Sequence, residues 1–321
     1  MKVKDKDNFG IGECALFRGL SVDDTPDYEH KLQWLCDHIN EDFSFLIDDL
    51  RDFPSLQFGL EQAFISLRAK DKFELFPSDF SHGKDQIAIN GLIWMGEEQF
   101  MLKQIEDKLK EGFTTLKLKI GAIDFEAELK MLSFVRQRFG ADQVELRVDA
   151  NGAFVVKEAM EKLEKLAEYQ LHSIEQPIKA GQWEEMSALC EESPIPIALD
   201  EELIGIIDPK IKKELLSIIK PQYIILKPSL IGGIKGSEEW IKLALEQHTG
   251  WWVTSALESN IGLNAIAQFT YTLHNPMPQG LGTGGLFTNN ISSPLTVNQG
   301  TLFMNREKKW GDLDQFLDNK P

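Results

Sequence analysis

Three acidic residues, Asp149, Glu175 and Asp200, each close a short apolar run and recur about every twenty-five residues. That interval is close to one strand plus its returning helix, so a parallel sheet would place three carboxylates at the same end of adjacent strands. Converging carboxylates repel one another unless a cation lies between them. Single carboxylates on rigid strand ends suit a hard divalent ion, Mg²⁺ with Mn²⁺ as a substitute. No histidine or cysteine ends the same strands to favour a softer metal. Each acid alone could simply cap the helix after its strand. Three in register beside lysines argue for a metal site, with the carboxylate oxygens expected to converge on one point.

Lys117 and Lys119 alternate with Leu116, Leu118 and Ile120, which puts both lysines on one face of a strand. In a closed barrel the apolar face meets the helices and the lysines point inward, where carboxylates and an anionic substrate can balance them. Crowding by a second ammonium and a metal is expected to depress a lysine pKa and make it a base near neutrality. Lys227 ends a later apolar run and is expected to face Lys119 across the barrel mouth. Arg147 and Asn151 lie two residues either side of Asp149 and share its face. Asn151 is placed to support metal or substrate, and Arg147 to sit deeper and pair with the carboxylates.

These residues need a scaffold that repeats. From about residue 88, strand-like runs alternate with helix-period segments. Strands are expected at 87–94, 115–120, 144–150, 171–175, 195–200, 223–227, 252–257 and 279–281. Helices are expected at 97–112, 125–139, 156–169, 183–190, 209–219, 238–247 and 261–273. Such alternation implies parallel strands joined by right-handed crossovers, and eight strands with seven helices imply a closed barrel. The glycine-rich stretches at 231–234 and 281–286 have neither dinucleotide nor P-loop spacing, which counts against an open nucleotide-binding sheet. In a barrel, chemistry gathers at the C-terminal strand ends, where the acids and lysines lie. Residues 1–86 break the alternation, with a strand and turn at 9–15 and helical spacing at 27–47 and 56–68. They are expected to form a small α+β domain to which residues 300–321 return, leaving 87–299 as the barrel.

The chain has 321 residues, 42% of them hydrophobic, enough for a sizeable core. Its net charge of -17 opposes nucleic acid and anionic lipid, so neither is expected as a partner. A small anionic substrate would need local positive charge to overcome that field, which a divalent ion and the lysines would provide. Three scattered cysteines fit neither a disulfide framework nor a zinc site and suggest a reducing cytoplasm. The six histidines include no pair at metal spacing, and there is no Gly-x-Ser-x-Gly elbow.

The ordered set Lys117-x-Lys119, Asp149-Ala150-Asn151, Glu175-Gln176-Pro177, Asp200-Glu201 and Lys227-Pro228 resembles the enolase superfamily in its muconate lactonizing enzyme subgroup. Within it, the chain is most similar to the o-succinylbenzoate synthase family, over residues 10–284. The resemblance implies a (β/α)7β TIM-like barrel behind an N-terminal α+β capping domain, with Mg²⁺ on Asp149, Glu175 and Asp200. It implies dehydration of 2-succinyl-6-hydroxy-2,4-cyclohexadiene-1-carboxylate to 2-succinylbenzoate, a step of menaquinone biosynthesis. Lys119 would be the base, and Lys117 and the metal would stabilise the enediolate. Lys227 would face the other side of the ring. Ser259 and Asn260 fall in a segment, 255–262, similar to the one that holds the substrate carboxylate. Arg18 falls in a segment similar to the family's mobile specificity loop.

The alternative is a dipeptide epimerase or N-acylamino acid racemase using the same two lysines, although the acidic pair of the epimerases is missing near 280–285. A non-catalytic scaffold is the third reading. The family carries additional β-structure before the Gly10-x-Gly12-Glu13 turn, so the capping domain is expected to lack its first strands.

Overall fold

The computed structural model describes residues 1–313. The chain opens with an antiparallel hairpin of β1 (Lys2–Asp5) and β2 (Asn8–Ile11), followed by helices α1 (Tyr28–Asp37), α2 (Phe43–Asp49) and α3 (Pro54–Arg68). The one helical stretch expected over 27–47 is therefore two helices. Asp42 adopts an extended backbone and its side chain accepts from the Ser44 N–H, a cap that restarts the helix on a new axis. Leu35, Leu46, Leu50, Leu56 and Leu60 give this region an apolar core of its own.

The strand expected over 87–94 also divides, into β3 (Gln86–Ala88) and β4 (Gly91–Ile93). After β4 come α4 (Glu98–Lys110), β5 (Thr115–Lys119), α5 (Phe125–Arg136), β6 (Glu145–Asp149), α6 (Val156–Ala167), β7 (Ser173–Glu175) and α7 (Trp183–Glu192). The series continues with β8 (Ile197–Leu199), α8 (Pro209–Ile219), β9 (Tyr223–Leu226), the short α9 (Pro228–Ile231), α10 (Gly233–Glu246), β10 (Gly250–Val253) and α11 (Asn260–Thr272). Strands β4 to β10 form one parallel sheet in sequence order. The eighth strand expected at 279–281 is reduced to two parallel bridges, Gln279 to Ile89 and Gly280 to Thr254, which join the first and last strands and close the ring.

The last two strands, β11 (Leu295–Asn298) and β12 (Thr301–Met304), form a separate antiparallel sheet with β3. This is why the 87–94 run splits, since its first half belongs to that sheet and its second half to the barrel. Trp310 stacks on Phe73 at 4.0 Å, while residues 314–321 of the expected returning segment lie outside the described residues. Among the described residues no helix is long and apolar enough to cross a membrane.

Register decides which side chains share a level. Lys119 lies beside Asp149 and Asp149 beside Glu175, while one level deeper Lys117 lies beside Arg147 and Arg147 beside Ser173. The alternate residues Leu116, Leu118, Leu146, Val148 and Ile174 are buried in the shell between strands and helices. At the N-terminal end of the barrel Ala198, Ile225, Trp252, Tyr223 and Met277 pack together and fill the interior. Burying a side chain the size of Trp252 contributes about 2–3 kcal/mol.

Candidate active site

The parallel register brings the charged strand ends together. Lys119 Nζ donates to Asp149 Oδ2 at 2.7 Å and to Asn151 Oδ1 at 2.8 Å. Lys117 Nζ lies 2.9 Å from Asp149 Oδ2 and also bonds Glu175 Oε2. Lys227 Nζ bonds Asp200 Oδ2 and lies 3.9 Å from Glu175 Oε1. The three carboxylates are at most 2% exposed, so these attractions act with little water to screen them.

Two residues lock the geometry. Asn151 has a φ of 43°, in the left-handed region, which lets its N–H turn back to Asp149 Oδ1 at 3.0 Å while its amide donates to Glu201 Oε1 at 2.7 Å. Gln176 is fully buried, and its Oε1 accepts the Asp200 N–H at 3.1 Å while its Nε2 donates to Glu202 Oε2 at 3.0 Å. That side chain ties the end of β7 to the end of β8 and aims Asp200.

Electrostatics divide the cluster unevenly. Burial pushes Asp149 up, but the ammonium groups of Lys117, Lys119 and Lys227 outweigh it and hold the carboxyl well below its usual range. Burial and the neighbouring Asp149 charge push Glu175 well above the usual range, more than Lys117 can offset. Burial likewise raises Glu201, helped by the charge of Asp200. Burial lowers Lys117 and Lys227, yet the surrounding carboxylates raise both by more. The carboxylates alone thus favour the charged form of both lysines.

The expected convergence of the three carboxylates on one point is also corrected. Among the described residues no three acidic, histidine or cysteine side chains are grouped to hold a metal. Each carboxylate turns to its nearest ammonium, because opposite charges at contact are favoured over three like charges at one point. The donor set still fits a hard divalent cation. It is all oxygen, and Glu175 Oε1 is buried without a hydrogen-bond partner at its centre.

A cavity of about 340 Å³ opens over this cluster. Lys117, Lys119, Lys227, Asn151 and Glu201 form its polar side; Phe17, Arg18 and Leu20 from the N-terminal region, Leu92 and Trp94 close it, with Thr254, Ser255, Leu257 and Thr283 completing the wall. Charged residues on one side and apolar walls on the other suit a small anion with a flat hydrocarbon body.

Several expected substrate contacts lie elsewhere. Arg147 donates to Glu145 Oε1 at 2.7 Å and to the Pro278 carbonyl at 2.9 Å, with its guanidinium 4.4 Å over the Trp252 ring. It stabilises the filled end of the barrel and does not pair with the carboxylates at the mouth. Ser259 caps α11 and bonds Glu13, and Asn260 donates to the Ile291 carbonyl; neither lines the cavity. Arg18 does line it, but is 80% exposed and paired with Asp24. Asn151 sits at the cavity as expected. Trp94, Thr254 and Thr283 were not singled out from sequence and carried no local signal, whereas Glu201 was named only beside Asp200 and Ser255 only within the segment 255–262. The thiols are remote from this chemistry, with burial pushing Cys14 up to about 11 and Cys190 up to about 12.

The chain is similar to known proteins in both sequence and fold. Residues 101–307 match the enolase C-terminal domain-like family. An o-succinylbenzoate synthase of Desulfotalea psychrophila is 47% identical, over 91% of this chain and 88% of that protein. The crystal structure of MenC from the same organism superposes with a TM-score of 0.83 at 44% identity, covering 94% of this chain and 92% of that one. The L-Ala-D/L-Glu epimerase of Bacillus subtilis, in complex with its substrate, shares the fold with a TM-score of 0.81 at 21% identity, covering 96% and 88%.

Proposed function

The chain belongs to the enolase superfamily, and from that premise we propose that it catalyses the o-succinylbenzoate synthase reaction. Water is eliminated from 2-succinyl-6-hydroxy-2,4-cyclohexadiene-1-carboxylate to give 2-succinylbenzoate, a step that serves menaquinone synthesis in the cytoplasm. The observation that carries this reading is the placing of Lys119 and Lys227, on β5 and just after β9, on either side of the row Asp149, Glu175 and Asp200 and both at the cavity.

Asp149, Glu175 and Asp200 would hold the divalent cation, Mg²⁺ or Mn²⁺. When bound, it supplies positive charge beside the substrate carboxylate and lowers the cost of carbanion formation at the α-carbon. Lys119 in its neutral form takes the α-proton. The freed electron pair spreads onto the carboxylate and then forms the new ring double bond as the carbon–oxygen bond to the hydroxyl breaks. Lys119 returns its proton to the departing oxygen, so water leaves and the base is regenerated. Lys117 keeps positive charge next to Asp149 and Glu175 and stabilises the developing anion. Lys227 presents its ammonium from the other side, where a ring face rich in electrons attracts it. Asn151 holds Lys119 in line through its side-chain oxygen.

The test offers the cyclohexadiene substrate with Mg²⁺ and follows the aromatic product by absorbance. Turnover that disappears on chelation is expected. Absence of turnover, together with α-proton exchange of an N-acyl amino acid or dipeptide, would assign the site to epimerisation.

A further inference from the structure

We propose that Glu13 is a positioning residue that registers the two walls of the substrate cavity, one from the N-terminal region and one from the barrel. Its carboxylate reaches across the boundary to the start of α11. Glu13 Oε1 accepts the Ser259 N–H at 2.8 Å, and Oε2 accepts the Ser259 hydroxyl and, at 2.7 Å, the Gly262 N–H. Gly262 makes this approach possible, since a Cβ there would lie 2.9 Å from Glu13 Oε2.

Both ends of this link are anchored. The Glu13 backbone is clamped to α3 by the fully buried Gln62, whose Oε1 accepts the Glu13 N–H at 3.3 Å and whose Nε2 donates to the Glu13 carbonyl at 3.2 Å. Gly12 is pressed on the same helix, where a Cβ would meet the Gly59 carbonyl at 2.0 Å. Four residues after Glu13 the chain forms the cavity wall at Phe17, in a turn closed by Ser21 through the Phe17 N–H at 2.8 Å and the Phe17 carbonyl at 2.9 Å. On the barrel side, Glu258 immediately precedes the Ser259 cap. It is buried and accepts hydrogen bonds from Ser229 and Ser255, the second of which lines the cavity and receives Thr283 Oγ1 at 2.8 Å.

One carboxylate thus connects the wall at 17–20 to the wall at 254–257. Glu61 makes the natural comparison. It also crosses the boundary, accepting the Ile234 and Lys235 N–H groups at the start of α10, but it adjoins no residue of the cavity. A general docking role would be shared by both glutamates, whereas a positioning role belongs to Glu13 alone.

The inference rests on the cavity being the substrate site. It is tested on the full chain with E13Q and E61Q, by steady-state kinetics and by amide hydrogen exchange. A glutamine at 13 replaces one acceptor with an amide that cannot accept the Gly262 N–H. In E13Q, KM is expected to rise about tenfold with kcat within about threefold, and residues 15–21 and 254–263 to exchange faster together. The β6–β8 strand ends and divalent binding should be unchanged, and E61Q should leave both walls as in the wild type. Equal effects of E13Q and E61Q, no change in the two walls, or faster exchange in one wall only would overturn it. A wild-type protein that does not turn over the cyclohexadiene removes the proposed reaction and not this coupling, because the exchange readout needs no substrate.

Discussion

At the barrel mouth Asp149, Glu175 and Asp200 are held by lysine ammonium groups, whereas Glu13 and Glu61 are held by backbone N–H groups at two helix N-termini. Helix N-termini are fixed donors with partial positive charge, and they satisfy a carboxylate without freedom to move. Lysines are long and mobile, can release a carboxylate, and can exchange a proton. The contrast extends to satisfaction. Both oxygens of Glu13 and of Glu61 find donors, while Glu175 Oε1 is buried with none. The two glutamates that join the N-terminal region to the barrel are fully bonded; the carboxylates beneath the cavity lysines depend on charges that can be rearranged.

The largest effect expected is on the lysine side of this contrast. Lys119→Met should lower turnover by about 10³-fold or more while the far-UV circular dichroism and unfolding temperature stay close to wild type. Retained turnover would remove Lys119 as the base. Next, Glu175→Gln should weaken divalent binding by about tenfold or more, since it removes one of the three carboxylates proposed to hold the cation. Titration calorimetry reads this; unchanged affinity would exclude Glu175 as a ligand.

On the helix side, burial raises Glu61 from 4.5 to about 8. The folded protein then binds more protons than the unfolded chain between those values. This stability is full below about pH 4.5 and is lost as pH rises toward 8, by an amount on the order of a few kcal/mol. Urea unfolding from pH 5 to 8 should show the decline, and Glu61→Gln should flatten it. A wild-type profile as flat as that of the variant would contradict the buried-carboxylate account. The smallest effect is expected at Ser259→Ala, with KM changed by less than about threefold, because the Ser259 N–H still reaches Glu13. A rise as large as that of a cavity residue would restore Ser259 to direct substrate contact.

The strand ends were legible because a parallel βα repeat converts sequence spacing into spatial adjacency. Lys119, Asp149 and Glu175 share one register level as alternation required, and Lys117 lies one level below. Where the same logic was stretched, it failed for identifiable reasons. Arg147 shares the face of Asp149, but two residues deeper its neighbours are Glu145, Pro278 and Trp252. The helical pattern of 27–47 hid a break that a single cap at Asp42 imposes. The apolar run 87–94 gave no sign that its two halves serve different sheets.

By itself the sequence determined the repeat, the identity of the charged groups ending each strand, and hence the class of chemistry. These follow from local periodicity, which acts over a few residues. Only the tertiary structure decided which groups the carboxylates bind, that residues 279–280 close the ring, and that Ser259 bonds Glu13. It also brought Phe17, Trp94, Ser255 and Thr283 into one wall. Such contacts join segments far apart in the chain, and they are selected by packing and charge balance over the whole fold, which no local pattern encodes.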